Sequence, residues 1–148
     1  MSGLQTNIDY YLVIKTIESQ LHGWHTEWLS RVSEPGEDLI FTSKDVVTNS
    51  YFNAMSEATA FYAYRRVIGG FYYNYAMLVV NSFGLQDALE RTPVNLAHFF
   101  SRCHTSAIKC ATLVRDELGP RGYLRFSPDS HFVQCSYAVL SLLKVSRA

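Results

Sequence analysis

The chain has 148 residues, of which 48% are hydrophobic and 14% aromatic, with 13 basic and 13 acidic side chains and a formal net charge of zero. That composition argues against a disordered chain and fits one domain with a buried core. The charge balance removes the basic excess on which nucleic-acid binding usually rests, so this chain is not expected to grip DNA directly. Its three cysteines, Cys103, Cys110 and Cys135, are odd in number and contain no Cys-x-x-Cys, which reads as a reducing compartment. The first residues lack a basic stretch and the apolar core of a secretion signal, and no internal repeat is visible.

Taken in order, Tyr10, Val13, Ile14, Ile17, Leu21, Trp24 and Trp28 recur at steps of three and four. They predict an amphipathic helix over about 7–32, with Lys15, Glu18 and Glu27 pointing elsewhere. Ser33 to Asp38 reads as a turn, and 39–50 as a loop or short helix. A helix is expected over 51–83, with Phe52, Met55 and Tyr62 on one side. Gly69-Gly70 marks a break or a close-packing point, and Gly84 a terminus before a short segment at 85–91. Thr92 caps and Pro93 opens a third helix over 93–118, whose inward face is Leu96, Phe99, Phe100, Cys103, Ala107, Cys110, Val114 and Leu118. No alternating run bounded by hairpin turns occurs, so the fold class is all-α, a bundle of about four main helices.

The most specific stretch closes the chain. Gly119 can adopt the left-handed conformation that ends a helix, and Pro120 cannot continue one. A kinked connection follows, and Ser127, Pro128 and Asp129 suit the cap and first turn of a last helix over 128–146. The run Gly122-Tyr123-Leu124-Arg125-Phe126-Ser127-Pro128-Asp129, with Phe132-Val133, Ser136-Tyr137-Ala138 and Leu142-Leu143-Lys144, resembles the fungal-specific transcription factor domain. This is the middle homology region of zinc-cluster regulators. Tyr73-Asn74-Tyr75-Ala76-Met77-Leu78 with Asn81-Ser82-Phe83-Gly84-Leu85-Gln86 carries a second match, and Leu21-x-x-Trp24-x-x-x-Trp28 a third. The three cover most of the chain in the family's order.

The resemblance implies a non-enzymatic regulatory domain in the nucleus, with protein partners in the transcription machinery or in self-association. The six-cysteine cluster that holds two zinc ions and reads DNA in that family is absent. The family pattern continues beyond Leu142-Leu143-Lys144, so the chain reads as part of a larger helical domain.

His22, His25, Cys103, His104 and Cys110 offer no converging four-ligand spacing, so no metal and no cofactor are expected. Asp129, Ser130 and His131 are adjacent at a helix start and point in different directions, which precludes a catalytic triad; His131 is expected partly exposed. Val67 to Gln86 carries no charge and is long enough for a bilayer, but its glycines and amides favour a core helix over a membrane span. An enzyme with an unrecognised site is the remaining alternative. Tyr10, Trp24, Trp28, Tyr62, Tyr72, Tyr73 and Tyr75 read as core or as the lining of a pocket for a small apolar effector. Arg121 and Arg125 flank Tyr123 close to Asp116, Glu117 and Asp129, which reads as an ion-pair brace for the connection or as an effector or anion site. Tyr123, Arg125 and Asp129 are its candidate residues, with Arg125 close enough in sequence to pair with Asp129.

Overall fold

A computed structural model describes residues 9–32, 49–91 and 93–147. Four α-helices dominate: α1 (Tyr10–Arg31), α2 (Asn49–Glu90), α3 (Leu96–Leu113) and α4 (Asp129–Ser146). Among the described residues there is no strand, and the all-α expectation holds. The expected turn and loop over 33–48, the cap at Thr92 and the start of helix α1 at residue 7 lie outside the described residues.

Helix α2 is the spine. It runs through 42 residues without a break, about 63 Å at 1.5 Å per residue. Neither Gly69-Gly70 nor Gly84 interrupts it: of the two readings of Gly69-Gly70 the break does not occur, and neither does the helix end expected at Gly84. Two of these glycines are points of close approach instead. A Cβ on Gly69 would lie 2.1 Å from Trp28 Nε1, and one on Gly84 would lie 2.4 Å from the Phe99 ring. The indole of Trp28 crosses α2 there and donates to the Arg65 carbonyl at 3.0 Å. Helix propensity is lost at each glycine, but neighbouring helices gain contact.

These clearances give two substitutions of opposite sign. Gly84→Ala is expected to destabilise by about 1–2 kcal/mol, because Phe99 is buried and overpacking outweighs the gain in propensity. Gly23→Ala, with nothing within 4 Å of its Cβ, is expected to stabilise by about 0.5–1 kcal/mol. Urea denaturation of both variants checks the pair.

Helix α1 begins at Tyr10 because the Asp9 carboxylate accepts from the Leu12 amide at 3.2 Å. Its inward stripe is Tyr11, Ile14, Glu18, Leu21, His25, Trp28 and Val32, a regular alternation of three and four. Tyr10, Val13 and Trp24 are exposed. The stripe is therefore rotated from the one that hydrophobicity alone selects. The cause is that α2 supplies partners for two polar residues. Asn81 donates to Glu18 at 2.8 Å, and His25 stacks on Tyr73 with centroids 4.2 Å apart. These pairs set α1 antiparallel to α2.

Helix α3 lies antiparallel on another side of α2. Cys103 and Cys110 face the backbone of α2 at Leu78 and Phe71, with Sγ 4.0 and 3.9 Å from the carbonyl oxygens. Together with Ala107 they keep the α3 face small, so the two helices approach closely. Phe71, Leu78 and Leu118 fill the core around them. Burial pushes the Cys103 thiol up to about 11 and the Cys110 thiol to about 12. Both pack as small core side chains.

Helix α4 returns along α3 and touches α2 through Tyr137. The Tyr137 hydroxyl donates to Ser82 at 3.1 Å, and its ring meets Tyr75 edge-on. His131 is 3% exposed, which corrects the expectation of partial exposure. Its position in the first turn of α4 aims it at α2, where Nε2 lies 2.5 Å from the Tyr72 hydroxyl. Its Nδ1 has no partner among the described residues.

Burial lowers the pKa of His131 from its ordinary 6.5, and burial with His22 and Lys109 lowers that of His25. The unfolded chain then binds protons that the folded chain refuses. This contribution to stability is complete above about pH 6.5 and is lost as pH falls below it. Urea midpoints are expected to decline from pH 7 to pH 5, with a shallower decline for His131→Phe.

Candidate functional site: a cleft under the α3–α4 connection

The last turn of α3 widens into a π-helical turn over Val114–Leu118, closed by the Gly119 amide on the Val114 carbonyl at 2.9 Å. Gly119 itself is right-handed, at φ −67°. The left-handed residue is Gly122, at φ 74°, so the chain turns three residues later than glycine-proline chemistry predicts. A 3₁₀ turn over Tyr123–Phe126 follows. Ser127 does not cap α4. Its hydroxyl donates backward to the Tyr123 carbonyl at 3.0 Å, and Pro128 occupies the cap position, its carbonyl accepting from the His131 amide.

Widened turns of this kind recur at functional sites because they displace side chains from the helical register. Here the turn forms one wall of a cleft of about 350 Å³. Val32, Ala63, Val67 and Leu113 give it an apolar floor. Arg66, Glu117 and Arg121 give it charge, and Tyr62 closes one side. The volume falls at the lower end for small-molecule pockets, and the mixture of apolar floor and few polar groups is their usual chemistry.

Arg121 links the cleft to the fold. Its guanidinium lies 2.9 Å from the Glu117 carboxylate. A hydrogen bond with Tyr123, then Glu117 beside it, raise the Arg121 pKa and keep the group cationic. The Tyr123 ring in turn meets Tyr64 of α2 edge-on, with centroids 4.9 Å apart. Glu117 neutralises one of the two arginines, so the cleft carries one net positive charge.

The three residues singled out as a brace therefore have different roles. Tyr123 packs against the core and contacts the cleft arginine. Arg125 and Asp129 are both exposed, and no ion pair joins them. The ion pair in this connection is Arg121–Glu117. Phe126, at the end of the 3₁₀ turn, is 91% exposed and does not anchor the connection. Of the aromatic residues considered for an effector pocket, Tyr62 lines the cleft. Tyr10 and Trp24 are exposed, Tyr72 meets His131, Tyr73 stacks on His25, and Trp28 seats on Gly69.

Sequence reasoning missed Arg66, which sits on the face of α2 that looks toward the end of α1. The Arg65-Arg66 pair was its one signal, and the two diverge: the Arg65 guanidinium lies over the Trp28 ring at 5.0 Å. Also missed was the polar cluster of Glu18, Asn81 and Arg102. Arg102 Nε lies 3.6 Å from Glu18 Oε1.

Asp129 and Ser130 are exposed while His131 turns inward, so the three do not converge. Among the described residues, no three His, Cys, Asp or Glu side chains are grouped to hold a metal ion. No helix among them is long and apolar enough to cross a membrane. Comparison with protein-family models, curated proteins and solved structures yields no match to this chain.

Proposed function

We propose that the chain is a non-enzymatic regulatory domain of a fungal zinc-cluster transcription factor, and that the cleft accepts a small apolar effector bearing one anionic group. The observation that carries the reading is the position of Arg121. It is the first residue of the connection into α4, it lines the cleft, and it pairs with Glu117. An anionic effector competes with Glu117 for Arg121. Its binding energy then favours one arrangement of the connection, and α4 follows because Tyr123 and Ser127 tie the connection together.

The order of the three sequence motifs supports the transcriptional setting, and with it nuclear localisation and contacts with other proteins of transcription. DNA recognition in this reading belongs to a zinc cluster outside this chain. The charge balance supports that division.

The test is titration with decanoate, a carboxylate on an apolar chain, followed by heteronuclear NMR. Saturable shifts are expected at Leu113, Glu117 and Arg121. Arg121→Glu is expected to weaken binding about tenfold or more, whereas Arg125→Glu, outside the cleft, leaves it unchanged. Equal binding by the two variants, or shifts confined to other surfaces, overturns the site.

A further inference from the structure

Helix α4 has a second apolar face. His131, Ala138 and Val145 point inward and are buried. On the opposite side Asp129, Val133, Ser136, Leu140, Leu143 and Arg147 recur at steps of four, three, four, three and four. This is the spacing of a coiled-coil seam. Val133, Leu140 and Leu143 are 67%, 58% and 51% exposed, and Phe132 and Val139 widen the stripe at 48% and 42%. No described residue covers it. A contiguous stripe of this kind on a helix marks a contact surface.

We infer that this seam is a homodimer interface in which the α4 helices of two copies pack antiparallel about a two-fold axis. The charges select the occupant and its direction. One acidic residue, Asp129, stands at the beginning of the seam. Arg147 stands at its end on the same line, with Lys144 beside it. Antiparallel pairing sets Asp129 of each copy against Arg147 and Lys144 of the other. Parallel pairing would oppose like charges at both ends.

The same register places Val133 against Leu143 and Ser136 against Leu140, each pair occurring twice. Such self-complementarity is what an isologous contact requires. Ser136 gives Leu140 room at the centre. The formal net charge of zero imposes no overall repulsion between copies. The interface stands on this surface alone and does not depend on the regulatory reading.

A seam of 18 residues is about 27 Å long and lies at the small end of specific interfaces, so association in the range of roughly 10–100 µM is expected. Sedimentation velocity of the full chain from about 5 to 500 µM reads it. Leu140→Asp is expected to weaken the dimer about 30-fold or more, with an unchanged circular dichroism spectrum because the site is exposed. Asp129→Lys alone and Lys144→Glu with Arg147→Glu are each expected to be monomeric. An equimolar mixture of these two variants restores the dimer to wild-type strength. A parallel pair would leave each variant as strong as the wild type and make the mixture stronger, so the loss in each separate variant fixes the antiparallel direction. A chain that stays monomeric at about 500 µM, or a dimer that survives Leu140→Asp, overturns the proposal. Charge variants that dimerise separately as strongly as the wild type, and more tightly when mixed, overturn the antiparallel arrangement.

Discussion

Replacing Asn81 by leucine is expected to cost about 3 kcal/mol of folding stability, although leucine is close in volume and suits a helix interior. Asn81 is fully buried in α2. Its Nδ2 donates both to Glu18 of α1 and to the Met77 carbonyl, at 2.8 and 2.9 Å. Glu18 is itself 8% exposed. Its other partner, Arg102 at 3.6 Å, is half in solvent. Leucine therefore strands a buried carboxylate beside one loosely held cation. Desolvation of that carboxylate outweighs the apolar burial gained.

Glu18→Gln is the discriminating control. Asn81 Oδ1 is buried without a partner, and the amide of a glutamine at position 18 can donate to it. The cost of Glu18→Gln is then expected to stay within about 1 kcal/mol. Denaturant midpoints for the two variants check the difference. A mild Asn81→Leu beside a severe Glu18→Gln would show that the carboxylate's charge, and not its hydrogen bond to Asn81, holds α1 on α2.

Tyr123→Ala is expected to cost about 3 kcal/mol, or roughly 6–12 °C in Tm for a chain of this size. The ring is half-buried against Tyr64 and borders the main core cluster. Its hydroxyl also meets Arg121. Truncation removes the contact that fastens the connection to α2, and the start of α4 is freed with it. Arg125→Ala, four residues from an exposed Asp129 with which it makes no pair, is expected to change stability by less than about 0.5 kcal/mol. Thermal melts of both variants decide whether the connection is held by aromatic packing or by a surface ion pair. Equal losses would restore Arg125 as a structural partner.

Helical content was legible because apolar periodicity is a collective signal. The inward face of α3, from Phe99 to Leu118, followed directly from it. The rotation of α1 was not legible, since Glu18 and His25 look like surface residues until Asn81 and Tyr73 come into reach. Glycine was ambiguous for a related reason. Gly84 has the chemistry of a helix end, but whether it stops a helix or admits a ring depends on Phe99, fifteen residues away. At the connection the conformational roles were assigned one glycine too early, because the π-helical turn carries the chain through Gly119 in a right-handed conformation. Sequence proximity offers both arginines acidic neighbours and does not say which pair forms. The widened turn decides it by bringing Glu117 to Arg121.

The proposed action of this domain on transcription runs through the connection beneath α4 and not through catalysis. Its most direct test is to tether the full chain to a heterologous DNA-binding module upstream of a reporter gene in yeast, with protein levels matched. The expected result is a reporter output distinct from that of the DNA-binding module alone, altered by Arg121→Glu and unaltered by Arg125→Glu. An output equal to that of the module alone, or one indifferent to Arg121, would contradict it.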